Sequence, residues 1–211
     1  MRQDLTLYYA PGTCAQAVLI ALHEAGAAFE AQRLNMAEGE QRAPAYLAIN
    51  LKGRVPALVT PQGVLTETAA LLLYVAQTHP DKQLAPLSDP FQLARMQEFN
   101  SFLASTVHIS HAHRPRAARW ADDEAAQKAM QAKVPQNMRD GFTLIEQHYL
   151  GDKTWVMGEQ YTVADGYLFT MAGWLKSDSV DINEFPRVAA HYARVAARPA
   201  VQAALAQSAR G

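Results

Sequence analysis

Cys14 is the single cysteine in a chain of 211 residues, so no disulfide can form within the chain. The thiol must therefore serve packing, reactivity or a bond to another molecule. It follows Pro11-Gly12-Thr13 at the start of an apolar helical pattern. The backbone amides of a helix start favour an anion, which suits a nucleophilic or sulfur-exchanging thiolate; a buried free cysteine is also a small apolar residue. Val55-Pro56 stands between Lys52-Gly53-Arg54 and a strand-like run. A cis bond there would turn the Val55 main chain toward a peptide-like ligand, whereas a trans proline needs only a strand entrance. Thr66-Glu67-Thr68 opens the next helix. Backbone amides and the Thr68 hydroxyl could hold a carboxylate, with Glu67 taking an ammonium beside it, together an α-amino-acid head; plain helix capping uses the same triplet. His108, His111 and His113 lie close together, but no nearby Cys, Asp or Glu completes a ligand set and no metal is expected. One imidazole is read as a donor or acid-base group and the others as surface residues.

The elements that must position these groups alternate through the first eighty residues. Leu5 to Tyr9 reads as a strand, Ala15 to Ala25 as a helix capped by Gly26, and Phe29 to Leu34 as a second strand. Gln41 to Leu47 reads as a short helix, Val55 to Leu65 as two strands around Pro61-Gln62-Gly63, and Glu67 to Thr78 as a helix. This order, β-α-β, α, β-β-α, predicts an α/β domain over 1–80. Prolines 80, 86 and 90 mark 81–90 as a linker. Residues 91–211 carry only helical patterns, with a capping box expected from Thr162 to Asp165 and a helix starting at Pro186.

Lys+Arg 19 against Asp+Glu 20 gives a net charge of -1, which argues against a nucleic-acid partner. With 49% hydrophobic residues but no apolar run of membrane length, the chain is expected not to span a bilayer. The start, MRQDLTLYYA, lacks a secretory layout, and a cytoplasmic location is expected.

Taken in order, P-G-x-C, N-L-K-G-R-V-P-A-L, T-E-T-A-A-L-L-L-Y, the proline-rich linker and the helical second half resemble a cytosolic glutathione transferase along the whole chain. The closing Phe185-Pro186 and Arg198-Pro199-Ala200-Val201 are also similar to that family. The resemblance implies a thioredoxin-like glutathione-binding domain, an all-α domain with the electrophile pocket, and a homodimer. Tyr8 to Cys14 looks most like the bacterial beta class. On that likeness, Cys14 faces the glutathione sulfur with Tyr9 nearby, Val55 pairs with the cysteinyl unit before a cis Pro56, Glu67 and Thr68 hold the γ-glutamyl end, Arg54 lies on the outer rim and His108 lines the site.

Three positions depart from the class. Ile109 replaces a lysine after the histidine, Thr106 replaces an acid two residues before it, and the 35–41 loop, N-M-A-E-G-E-Q, lacks its lysine and is one residue short. The implied reaction is conjugation of the glutathione thiolate to small, mostly hydrophobic electrophiles in detoxification. Its rivals are a glutathione-dependent reductase, peroxidase or dehalogenase using Cys14, and a non-catalytic scaffold that retains the fold.

Overall fold

The computed structural model describes residues 5–210. Strands β1 (Leu5–Tyr9), β2 (Phe29–Arg33), β3 (Ala57–Thr60) and β4 (Gly63–Thr66) form one sheet in the order β2-β1-β3-β4. Leu5 pairs with Phe29 in parallel, while Leu7 opposes Leu58 and Val59 opposes Val64 in antiparallel pairs. The helices are α1 (Ala15–Ala25), α2 (Pro44–Leu47), α3 (Thr68–Thr78), α4 (Pro90–Phe102), α5 (His108–Ala112), α6 (Glu124–Leu144), α7 (Val163–Ala172), α8 (Pro186–Ala196) and α9 (Pro199–Arg210). The expected class therefore holds: a thioredoxin-like α/β part followed by helices.

Local chemistry explains where element ends differ from the sequence reading. The helix expected over 41–47 divides into a 3-10 turn at Glu40–Arg42 and α2, because Pro44 forces Ala43 into the extended region at φ -65, ψ 144. The strand expected from Val55 starts at Ala57, after a proline that has no N–H to give the ladder. The helix expected from Glu67 starts at Thr68, since Glu67 adopts φ 72. Gly26 ends α1 as expected, at φ 61 with its N–H on the His23 carbonyl.

Two compact units result. The first runs to Leu93 and regains the chain from Ala196; the second is Ala94–Val195. In the first, β1 sends Leu5, Leu7 and Tyr9 to one buried face. Tyr8, on the opposite face, packs with Tyr46 of α2 at a ring separation of 5.5 Å. Helix α1 buries Val18, Leu19, Ile20, Ala21 and Leu22, an all-round apolar surface that requires cover on more than one side. It packs against α3 and α9. At its end the buried Glu24 carboxylate receives a two-pronged contact from Arg198, at 2.5 and 2.8 Å, and His23 meets Gln207 at 2.7 Å.

In the second unit every residue of α7 is buried. The expected capping box is present: Asp165 accepts from the Thr162 N–H at 2.8 Å, and Thr162 satisfies the first turn in return. Asp165 is fully buried and also accepts from the Val156 N–H at 2.8 Å and meets His191 Nε2 at 2.9 Å. Helices α4 and α6 continue into wider turns of i→i+5 type at Leu103–Val107 and Ile145–Leu150. Among the described residues no helix is long and apolar enough to cross a membrane.

Candidate functional site

The β1–α1 turn is fixed from within. The Thr13 hydroxyl donates to the Ala10 carbonyl at 2.7 Å and accepts from the Ala15 N–H at 3.3 Å. Cys14 is thereby the residue that caps α1, at φ -60, ψ -16. Its Sγ lies 3.7 Å from the Val55 carbonyl oxygen, to which the thiol donates, and only 7% of the residue is exposed. The structure thus brings the cysteine and the Val55 main chain together. The Val55-Pro56 bond is cis, which the residues alone left open.

The loop before Val55 is held by residues that the sequence reading passed over. The Arg54 carbonyl accepts from the Tyr46 hydroxyl at 2.6 Å and from Asn50 Nδ2 at 2.7 Å. Asn50 Oδ1 accepts from the Lys52 N–H at 3.2 Å, and the Asn50 carbonyl accepts from the Gly53 N–H at 2.9 Å. Arg54 itself points an exposed side chain outward. The Asn-x-x-Gly spacing was the available signal for this turn. Burial of Tyr46 pushes its phenol above the ordinary value of 10.0. Tyr9, expected close to the thiol, ends β1 with its ring in the core, 3% exposed, and its carbonyl accepts from the Leu34 N–H at 2.8 Å.

At the start of α3, Glu67 occupies the left-handed side of φ space at +72, uncommon for a residue with a Cβ. Its carboxylate makes no helix cap. Instead it pairs with the Lys52 ammonium, which also donates to Thr66 Oγ1 at 2.7 Å. Thr68, the first helical residue, is buried. The capping role that Thr66 could have taken is therefore not the one its hydroxyl plays. Lys52 is the only lysine in residues 1–81.

In the 35–41 loop, Asn35 Oδ1 accepts from the Ala37 and Glu38 N–H groups at 3.1 and 3.4 Å, and Glu40 accepts from the Asn35 N–H at 2.8 Å. The short loop closes on itself through these bonds.

Within the second unit, His108 packs its ring 5.0 Å from Trp174. His111 is not a surface residue as expected. Its side chain is 13% exposed, stacks on Trp174 at 4.2 Å, and sets Nδ1 2.8 Å from the fully buried Asp178. His113 Nδ1 meets the Ile109 carbonyl at 2.7 Å and its ring stacks on Trp120. Ile109 is 40% exposed, and Thr106 is exposed too. Among the described residues no group of three or more His, Cys, Asp or Glu could hold a metal ion.

Residues 3–77 match the family model described as glutathione S-transferase, N-terminal domain, and residues 111–208 match the model described as glutathione S-transferase, C-terminal domain. An Escherichia coli O157:H7 protein named glutathione S-transferase GstA is 30% identical over 203 residues, which cover 95% of this chain and 97% of that one. Among solved structures, a glutathione transferase homolog from Sulfitobacter with bound glutathione superposes with a TM-score of 0.94 at 41% identity, covering 98% of this chain and 99% of that one. A bacterial beta class glutathione S-transferase from Sphingomonas chungbukensis gives a TM-score of 0.84 at 33% identity, covering 96% of this chain and 98% of that one.

Proposed function

Because the chain belongs to the glutathione S-transferase family, we propose that it joins glutathione to small, mostly hydrophobic electrophiles. The observation that carries this reading is the grouping of Cys14 with the Val55 main chain, in a chain 41% identical to a structure holding glutathione. The cysteinyl unit of glutathione pairs with the Val55 backbone, and its sulfur lies beside Cys14 at the start of α1. Glu67 takes the γ-glutamyl ammonium, and the Thr68 hydroxyl and N–H take the neighbouring carboxylate. Arg54 stands at the outer rim, Pro56 fixes the loop, Tyr9 supports the β1 end, and His108 lines the site.

In this reaction the glutathione thiolate attacks an electrophilic carbon and a C–S bond forms. The electron pair of the broken bond leaves with the departing group, or is protonated when the substrate is an activated alkene. The protein raises the thiolate fraction and holds it in reach of the carbon. Glutathione is a co-substrate here and no metal takes part. Residues 1–80 serve as the glutathione-binding domain, 81–90 as the linker, and 91–211 as the helical domain with the electrophile pocket. We read the protein as a cytoplasmic homodimer acting in detoxification.

Calorimetric titration of the reduced protein with glutathione is the first test, with a dissociation constant at or below about 1 mM, near 4.1 kcal/mol of binding, expected. Conjugation to a dinitro-activated aryl chloride then tests turnover. Cys14→Ala is expected to change the pH profile of that turnover and to abolish any glutathione adduct seen by mass spectrometry. An unchanged profile and adduct would remove Cys14 from the reaction. Turnover of glutathionylated disulfides exceeding conjugation would favour thiol exchange, and absence of binding would favour a scaffold.

A further inference from the structure

Lys52 is tied at both ends. Its N–H is held by Asn50 at 3.2 Å, and its ammonium reaches Thr66 Oγ1 at 2.7 Å and the Glu67 carboxylate. That carboxylate is the one assigned above to the ammonium of the γ-glutamyl head, so the protein already holds a cation where the ligand's cation must go. Both partners are open to water, the Lys52 side chain 45% and the Glu67 side chain 70% exposed. An exposed pair of this kind is held weakly and gives way to a competing cation.

We propose that Lys52 binds the α-carboxylate of the γ-glutamyl head, which makes the site selective for a zwitterionic amino-acid head. The inference rests on the glutathione reading above. An arriving head brings one ammonium and one carboxylate. Glu67, the ligand ammonium, the ligand carboxylate and Lys52 then alternate in sign, and every charge has an opposite neighbour. A head without the carboxylate would instead crowd two cations around one acid, a like-charge contact that works against binding. The 35–41 loop supplies no lysine, and Lys52 is the only one before Lys82. No other lysine ammonium stands in that stretch.

The test is calorimetric titration of the reduced, full-length protein with S-methylglutathione, and with its analogue in which the γ-glutamyl α-carboxylate is a carboxamide. Lys52→Gln is expected to weaken S-methylglutathione binding roughly fivefold to tenfold and to flatten its salt dependence. Lys52→Arg is expected to retain most of the affinity, and the carboxamide analogue to bind Lys52→Gln no more weakly than the unaltered protein. Far-UV circular dichroism checks that both variants fold. Equal or tighter binding of S-methylglutathione by a folded Lys52→Gln overturns the role of Lys52 alone. Failure of the unaltered protein to bind overturns the glutathione reading, and this inference with it.

Discussion

At Gly53 the backbone has φ +57, and a Cβ there would lie 2.8 Å from the Gln41 carbonyl oxygen. Both the torsion and the space exclude a side chain. Gly53→Ala is expected to cost about 1–3 kcal/mol, read from urea unfolding, and to weaken glutathione binding because the loop presenting Val55 must shift. Tyr46 holds the other side of that loop through the Arg54 carbonyl at 2.6 Å. Burial raises its pKa above 10.0 in the folded chain, so the folded state keeps a proton that the unfolded state gives up. The stability this contributes is complete below about pH 10 and falls as pH rises through the folded value. An alkaline unfolding series should therefore show a falling limb that begins near pH 10, shallower in Tyr46→Phe.

The strands and helices were legible wherever pattern and punctuation agreed. Leu5–Tyr9 and Ala15–Ala25 have the same bounds in pattern and in structure, because alternation, helical spacing and Gly26 all point the same way. The capping box was equally plain, since it lies within four consecutive residues. What stayed hidden depends on distant partners. Nothing near Asp165 announces His191, which meets it from 26 positions away, nor does His111 announce Asp178 across 67 positions. The same holds for Glu67 and Lys52, whose pairing exists only because β3 and β4 fold back. The Asp165 hub gives the element scale its prediction. Asp165→Ala strands the Val156 and Thr162 amides and a buried histidine, and is expected to cost about 3–5 kcal/mol. A lower urea midpoint at an unchanged slope would agree; a loss under 1 kcal/mol would contradict the hub.

At the scale of the molecule, the first unit is completed by α9, whose Arg198 reaches the buried Glu24 of α1. Arg198→Ala leaves that carboxylate without its partner and is expected to destabilise the first unit by about 2–4 kcal/mol. Hydrogen exchange should show the loss as faster exchange in α1 than in α7.

Arg198 stands 174 positions after Glu24. During synthesis at about 5–20 residues per second, α1 therefore waits on the order of ten seconds for the helix that covers it. Throughout that interval its outer apolar surface is open to chaperones and to neighbouring nascent chains. The first unit thus cannot reach its finished packing until α9 has emerged.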